Sequence, residues 1–286
     1  MPTFSAYDGT KLAHHVRGQS PGAEGVTPLV CLPGGPMQAS AYLGDLGGLA
    51  ARRPSVLLDL RGTGDSAVPE DPSTYRCDRL VDDVEALREH LGVASMDLLA
   101  HSGGTNLAVL YAARHPERVR RLVLVAPSTM ALGIPVPGAV RRETALLREG
   151  EPWFPEAFAA LEEIVAGRAT ADSWAAMAPF AYGRWDAQAQ AHRAAEDGQR
   201  NDEAAAAYGA EGAYDPDVTR AALARLTTPV LLLAGEVDLN SPPPAVAELA
   251  GLFPNAELVV QPGAAHFPWL YDPEWFTDAV SAFLTG

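Results

Sequence analysis

The chain has 286 residues, of which 48% are hydrophobic, and this is enough to bury one large core, so we expect a single domain that carries one sizeable insertion. Its 36 acidic and 21 basic residues leave a formal net charge of −15, which excludes a nucleic-acid partner because such a surface repels phosphate backbones. No run reaches the roughly 18 apolar residues of a membrane span, and the first residues do not resemble a secretory leader. We therefore expect a cytoplasmic protein without membrane contact.

Short apolar runs alternate with helical patterns in the first part of the chain. Strands are predicted at 29–32, 55–59, 96–100 and 121–125. Helices are predicted at 77–90, followed by Gly92, and at 105–115, closed by Pro116. This alternation is typical of an α/β fold, in which a mostly parallel sheet is flanked by helices.

The pattern changes after residue 128 to alanine-rich helical segments that carry tryptophans and glutamates, with no convincing strand. The core pattern resumes with predicted strands at 229–234 and 256–260 and a helix at 273–283. We therefore predict a helical cap inserted after the strand that ends near Val125. The predicted core is 1–127 and 227–286, and the predicted cap is 128–226.

The pentapeptide Ala100-His101-Ser102-Gly103-Gly104 follows a predicted strand and opens a predicted helix. This is the context of a nucleophile elbow, a strained turn whose small flanking residues avoid clashes. The helix that begins at Gly103 directs its free amides at the space above the Ser102 hydroxyl. We predict that Ser102 is a nucleophile, and the alternative is that it only caps a helix.

A second glycine-rich loop, Leu32-Pro33-Gly34-Gly35-Pro36, follows the first of these strands. In this kind of fold that loop supplies an amide to the oxyanion hole, so we predict Gly35 and Gly103 as the two donors. The alternative is an ordinary tight turn, which proline and glycine also favour.

An acid and a base are predicted after the last two strands. Asp238 lies just beyond the strand at 229–234, although Glu236 competes with it and the alternation of side chains does not decide between them. His266 lies in a small-residue loop after the last strand. The order Ser102, Asp238, His266 is typical of a nucleophile-elbow hydrolase. Such a triad needs no cofactor, and no paired histidine or cysteine spacing predicts a metal site.

These residues together resemble the α/β-hydrolase superfamily and, within it, the prolyl iminopeptidase-like branch. That branch carries a His-Gly-Gly-Pro-Gly loop and an Asp-Gln-Arg-Gly-x-Gly-x-Ser segment. Residues 33–37 and 59–66 partly reproduce them, with Pro33, Met37 and Leu60 standing at the positions of the histidine, the last glycine and the glutamine.

The resemblance implies a cap carboxylate that binds the amino terminus of a substrate. Residues 182–186, Tyr-Gly-Arg-Trp-Asp, are similar to the Trp-x-x-Trp-Glu segment of the branch. The predicted substrate contacts are accordingly Tyr182, Trp185 and Asp186, with Glu196, Glu203 or Glu211 as second carboxylates and Phe267 beside the base. The alternative is that these charges form a solvated helix face.

The resemblance implies a serine hydrolase that removes an N-terminal aminoacyl residue from a peptide or an aminoacylated small metabolite. The partner would then be a small molecule or short peptide, and the oligomeric state is left open. The alternatives are an ester, thioester or lactone hydrolase with an aromatic cap pocket and, from another class, a ligand-binding member of the fold without catalysis.

Overall fold

A computed structural model describes residues 2–18, 27–196 and 198–286. Residues 1 and 19–26 of the predicted core and residue 197 of the predicted cap lie outside the described residues. The strands are β1 Thr3–Ser5, β2 Lys11–Arg17, β3 Leu29–Leu32, β4 Ser55–Leu58, β5 Met96–His101, β6 Val119–Val125, β7 Val230–Gly235 and β8 Ala256–Gln261. The α-helices are α1 Leu49–Arg52, α2 Cys77–His90, α3 Gly104–Arg114, α4 Gly138–Leu146, α5 Phe154–Val165, α6 Ala171–Ala176, α7 Ala187–Glu196, α8 Asp202–Tyr208, α9 Pro216–Leu223, α10 Pro243–Ala250, α11 Pro268–Tyr271 and α12 Pro273–Thr285.

The strands form one sheet in the order β1-β2-β4-β3-β5-β6-β7-β8. The β1–β2 and β2–β4 pairs are antiparallel and the other neighbouring pairs are parallel, which confirms the predicted mostly parallel sheet. Strands β1 and β2 were not predicted. The first is only three residues long, and the second contains Lys11, His14, His15 and Arg17, which hide its apolar pattern.

Helices cover both faces of the sheet, so the central strands are buried throughout. In β5, Leu98 packs in the cluster that contains Leu107 of α3, and the next residue, Leu99, packs in the cluster that contains Val280 of α12. The sequence of a strand that is buried on both faces is a continuous run of apolar residues. That is why these strands were predictable from the sequence.

The region between β6 and β7 is helical. Helices α4 and α5 contribute to a small apolar cluster of their own, which includes Ala145, Leu161 and Phe180. Helix α9 instead packs against α3, and Leu223 belongs to the main core. The division of the chain at 128 and 226 stays a prediction. Within the described ranges, every helix is too short or too polar to cross a membrane.

The parallel strands bring four predicted site residues to one edge of the sheet. Gly35 follows β3, Ser102 follows β5, Asp238 follows β7 and His266 follows β8. Carboxyl ends of neighbouring parallel strands lie at the same edge, which is where α/β sheets bind ligands. The fold thus gathers residues that are up to 231 positions apart in the numbering, from Gly35 to His266.

Candidate active site

Ser102 lies in a strained turn between β5 and α3. Its φ is 52°, in the left-handed region that residues other than glycine rarely adopt, at a cost of about 1–3 kcal/mol. Glycines make room for this turn, because a Cβ on Gly34 would lie 2.8 Å from the Ser102 Cβ and one on Gly104 would lie 2.3 Å from the Pro33 carbonyl oxygen. The backbone therefore has the form of the predicted nucleophile elbow.

His266 connects Ser102 to Asp238. Its Nε2 lies 2.8 Å from the Ser102 Oγ, and its Nδ1 lies 2.8 Å from the Asp238 Oδ2. A carboxylate only accepts hydrogen bonds, so Nδ1 carries the proton and the Nε2 lone pair faces the serine hydroxyl. This is the geometry in which imidazole can take the serine proton.

The competing acid, Glu236, has another partner. It is exposed, and its Oε2 accepts a hydrogen bond from the Gly263 amide at 2.8 Å. Asp238 is fully buried, and its Oδ1 also accepts a hydrogen bond from the Asn240 amide at 2.8 Å. The structure therefore brings Asp238, and not Glu236, to the histidine.

The surroundings of His266 favour its protonated form. Burial lowers the pKa of His266, but the charge and hydrogen bond of Asp238, together with the Glu196 charge, leave that pKa above its ordinary value of 6.5. Arg141 acts in the opposite direction. A base with a raised pKa is well matched to accept a proton during the reaction and return it afterwards.

The predicted oxyanion donors, Gly35 and Gly103, line the cavity in front of Ser102. Within the part of the chain that the structure describes, neither backbone amide has a hydrogen-bond acceptor. Pro36 packs against Gly103 and so connects the two loops, since a Cβ on Gly103 would lie 3.3 Å from the Pro36 Cα. That these amides receive a substrate oxygen stays a prediction.

A buried hydrogen-bond chain joins the three loops of the site. The Gly34 amide donates to the Tyr42 hydroxyl at 2.7 Å, which lies 2.7 Å from the His101 Nδ1, and the His101 Nε2 lies 2.8 Å from the His266 carbonyl oxygen. A carbonyl oxygen is an acceptor, so Nε2 carries the proton of His101 and Tyr42 donates to Nδ1. Burial keeps the pKa of His101 well below its usual range, which maintains this neutral form.

Tyr42→Phe is expected to lower both stability and activity. Removal of the hydroxyl leaves the Gly34 amide and the His101 Nδ1 without partners, and each buried orphan costs about 1–3 kcal/mol. Because Gly34 precedes the predicted oxyanion donor, kcat should fall about 10–100-fold, as it does when reacting groups are misplaced by about 1 Å. Chemical unfolding and steady-state kinetics measure the two effects.

Tyr214→Phe is the matched control for this variant. Its buried hydroxyl interacts with the Cys77 thiol, a weak hydrogen-bonding group, so its loss should change the unfolding free energy by less than about 1 kcal/mol. If Tyr42→Phe behaved like Tyr214→Phe, the chain from Gly34 to His266 would not support the site.

A cavity of about 1040 Å³ opens in front of Ser102 and His266. Three of the predicted substrate contacts line it, namely Tyr182, Glu196 and Phe267. Its walls also include Trp174 and Phe180, so the predicted aromatic lining is present in part. The volume is large enough for a short peptide or a drug-sized molecule.

The prediction for Asp186 requires correction, because the structure does not bring this residue into the cavity. Its Oδ1 accepts a hydrogen bond from the Ala189 amide at 2.9 Å and thereby caps α7, with half of the side chain exposed. Short polar side chains are preferred at this position for that reason.

Two other predicted contacts also lie away from the cavity. Trp185 packs on Tyr182, with ring centroids 5.4 Å apart, and so supports the wall without reaching its surface. Glu211 is exposed, and its carbonyl oxygen accepts a hydrogen bond from Arg76 at 3.2 Å. The alternative contact Glu203 is exposed and lies outside the lining as well.

Glu196 is the predicted carboxylate that the structure brings to the site. Its side chain is 18% exposed, and its Oε2 lies 3.9 Å from the Arg193 Nη1. Burial raises the pKa of Glu196, while the neighbouring His192 and Arg193 act against that rise. Glu196 is therefore a partly desolvated carboxylate that contributes to the field at His266.

Sequence reasoning missed three polar residues that line or support the cavity. Gln38 is buried and lines the cavity near Glu196, on which its side chain acts by a hydrogen bond, and Arg141 lines the cavity as well. Tyr42 holds the loops as described above. None of the three stands in a motif, and Arg141 is followed directly by a second arginine, so the sequence contained no signal for them.

The segment 59–66, which resembles the second motif of the branch, stabilises the core beside the site. Arg61 is fully buried and donates to Asp83 at 2.7 and 2.5 Å and to Asp8 at 2.7 Å. The Asp59 carboxylate accepts hydrogen bonds from the amide and hydroxyl of Ser40 at 2.8 and 2.7 Å. Asp59 and Arg61 of this segment thus have structural partners beside the site.

One group of side chains in the described part of the chain has the composition of a metal site. It consists of His15, Asp59 and Asp65, whose potential ligand atoms all lie within 4.8 Å of one another. The Asp59 oxygens, however, already accept hydrogen bonds from His15 at 2.8 Å and from the Asp65 amide at 3.0 Å, besides those from Ser40. We therefore interpret these three residues as a hydrogen-bonded group that stabilises a turn.

Known proteins share parts of this sequence. A proline iminopeptidase of Heyndrickxia coagulans is 36% identical over 107 residues, 37% of each chain. The (lyso)-N-acylphosphatidylethanolamine lipase of Homo sapiens is 34% identical over 155 residues, 48% of this chain and 45% of that protein. The aligned stretches thus span less than half of these relatives.

Two solved structures resemble the whole chain. The proline iminopeptidase of Mycobacterium smegmatis aligns with a TM-score of 0.73 and 25% identity over 99% of this chain and 97% of its own. The esterase RhEst1 of Rhodococcus sp. ECU1013 aligns with a TM-score of 0.73 and 26% identity over 100% of this chain and 98% of its own. Residues 27–273 match the family described as alpha/beta hydrolase fold. Since this match covers most of the sequence, the chain belongs to the α/β-hydrolase family.

Proposed function

We propose that the protein is a serine hydrolase that removes an N-terminal aminoacyl residue from a short peptide or an aminoacylated small molecule. The observation that carries this proposal is Glu196, a largely buried carboxylate in the same cavity as Ser102 and His266. The similarity to proline iminopeptidases supports the same activity. Residues 128–226 would act as the cap that places Glu196 over the nucleophile.

The reaction follows from the hydrogen bonds of the site. His266 takes the proton of Ser102 as the Oγ attacks the substrate carbonyl, and the amides of Gly35 and Gly103 stabilise the oxyanion. Asp238 stabilises the imidazolium, which then gives its proton to the leaving amine as the C–N bond breaks. Water releases the aminoacyl group from Ser102 by the same steps in reverse.

The Glu196 carboxylate favours substrates that carry a free amine. An ammonium group that enters a partly dehydrated cavity needs an opposite charge nearby, and Glu196 supplies one. A neutral acyl chain would leave that carboxylate without compensation from the substrate. The proposed substrate therefore carries its ammonium group on the acyl side of the cleaved bond.

Glu196→Gln is expected to lower kcat/KM for alanyl and prolyl aryl amides with a free amine by about 10–100-fold, because a hydrogen bond to a charged group contributes about 1.5–3 kcal/mol. N-acetylated forms of the same amides should be unaffected by the substitution beyond a few-fold. The ratio of kcat/KM for the two forms is the measurement.

The matched control is Glu203→Gln, which removes an exposed carboxylate outside the cavity lining and should leave the ratio unchanged. The pH profile supplies a second readout. Since the Glu196 charge raises the pKa of His266, its loss should move the acid limb of kcat/KM to lower pH for every substrate. Equal losses on free and acetylated amides would contradict amine binding at Glu196.

The second candidate function is carboxylic ester or lactone hydrolysis. Its support is the aromatic part of the cavity wall, with Trp174, Phe180 and Tyr182, and the similarity to the esterase RhEst1. Aromatic walls suit neutral acyl groups and do not require a charge. This function would be favoured if a butyryl ester were hydrolysed faster than every free-amine amide and if acetylation of the amine did not lower the rate.

A further inference from the structure

A second charged residue, besides Glu196, is well placed to contact a substrate in the cavity. Arg141 of α4 lines the cavity, and its Nη1 donates to the Leu239 carbonyl oxygen at 2.8 Å and lies 3.4 Å from the Asn240 Oδ1. Leu239 and Asn240 directly follow Asp238. These contacts fix the guanidinium beside the loop that carries the acid of the triad.

Arg141 differs from the other arginines of the cavity in its charge partners. Arg193 lies 3.9 Å from Glu196, and Arg200 lies 3.4 Å from Asp202. Among the described residues, Arg141 forms no ion pair, and burial lowers its pKa although Asp238 acts in the opposite direction. A partly dehydrated cation without an ion pair favours the binding of an anion.

The sheet order separates the two charges. The residues that follow α7 lie beside the chain that follows β3, where the Ala39 amide donates to the Gln199 carbonyl oxygen at 2.9 Å. Arg141 is attached to the loop after β7, and Ser102 follows β5, which lies between β3 and β7. Glu196 therefore approaches Ser102 from the β3 side and Arg141 from the β7 side.

The direction of proton transfer decides which part of the substrate meets Arg141. His266 must protonate the leaving amine, and it follows β8, the neighbour of β7. The leaving group accordingly lies toward the β7 side, while the ammonium of the acyl part lies toward Glu196. Glu196 raises the pKa of His266 and Arg141 lowers it, so both charges act on the base of the site.

We propose that Arg141 binds a carboxylate of the leaving group, so that the preferred substrates are aminoacyl amino acids, with an ammonium at one end and a carboxylate at the other. This inference rests on the proposed aminoacyl hydrolysis. Water cleaves the C–N bond through the ester on Ser102, and two free amino acids leave. A guanidinium suits this contact because it donates to both oxygens of a carboxylate.

The test compares alanyl-alanine with alanyl-alanine amide, which differ only in the charge of the leaving group. We expect kcat/KM of the unmodified protein to be about 10–100-fold higher for the free acid, the range of a charge-assisted hydrogen bond. Arg141→Gln should bring this ratio close to one, and Arg141→Lys should retain part of it. Thermal unfolding checks that both variants are folded.

The matched control is Arg142→Gln on the same helix, because Arg142 points instead to Glu162, with Nε and Oε1 2.5 Å apart. This variant should keep the preference of the unmodified protein. A role of Arg141 in holding the 239–240 loop alone would lower both rates equally and leave the ratio intact, which would overturn the carboxylate site.

Two further outcomes separate this inference from the proposed function. Turnover of alanyl anilide together with equal rates on alanyl-alanine and its amide would overturn the carboxylate site and leave aminoacyl hydrolysis standing. Turnover of a butyryl ester without turnover of any free-amine substrate would overturn both.

Discussion

Ser102→Ala is expected to lower kcat by about a millionfold on whichever substrate class the protein prefers, the size of effect seen when a triad nucleophile is removed. The physical reason is that His266 then has no hydroxyl to deprotonate at its Nε2, so no covalent acyl intermediate forms. A fluorophosphonate probe should label the unmodified protein once, at Ser102, and should not label the variant. Intact-protein mass spectrometry measures that difference.

Ser128→Ala serves as its control. Ser128 lines the same cavity, and its hydroxyl accepts a hydrogen bond from the Asn106 side chain at 3.1 Å, whereas the hydroxyl 2.8 Å from the His266 Nε2 is that of Ser102. The kcat of Ser128→Ala should stay within a few-fold of the kcat of the unmodified protein. Retention of kcat within tenfold by a folded Ser102→Ala variant would remove Ser102 from the mechanism.

The central strands and the residues that directly follow them were predictable, because burial determines both their sequence pattern and their place in the sheet. The central strands are buried on both faces, so their apolar runs mark them, and a parallel sheet must bring the residues after β5, β7 and β8 to one edge. For that reason the sequence was sufficient to place Ser102, His266 and an acid near Asp238. Only the side-chain geometry distinguished Asp238 from Glu236.

The helical region between β6 and β7 was less predictable, because the direction of a side chain there depends on how each helix is rotated and not on where a strand ends. Asp186 precedes the short helix α7 and caps its start, whereas Glu196 is the last residue of that helix and lines the cavity. The motif likeness pointed first to Asp186, which lies outside the cavity lining. Arg141 and Arg142 are adjacent and chemically identical, and only the packing of α4 directs one to the cavity and the other to Glu162.

Asp238→Asn is expected to lower kcat by about ten-thousandfold while the protein stays folded, since an amide in this position permits the wrong imidazole tautomer. The neutral amide of the Asp238→Asn variant would also fail to stabilise the imidazolium that forms when Ser102 loses its proton. Glu236→Gln is the control, because Glu236 is exposed and contacts the Gly263 amide. A larger loss in Glu236→Gln than in Asp238→Asn would reverse the assignment of the acid.

The pH profile gives the same substitution a second, independent signature. His266 acts as a base only when neutral, so kcat/KM of the unmodified protein should rise with pH through a His266 pKa that lies above the ordinary value. Asp238 is the main group that raises this pKa against the effect of burial. Its replacement by a neutral amide should therefore move the acid limb to lower pH, so the residual activity of the variant persists into more acidic solution. If the acid limb of kcat/KM did not move in Asp238→Asn, Asp238 would not set the charge state of His266, whatever the effect of the substitution on kcat.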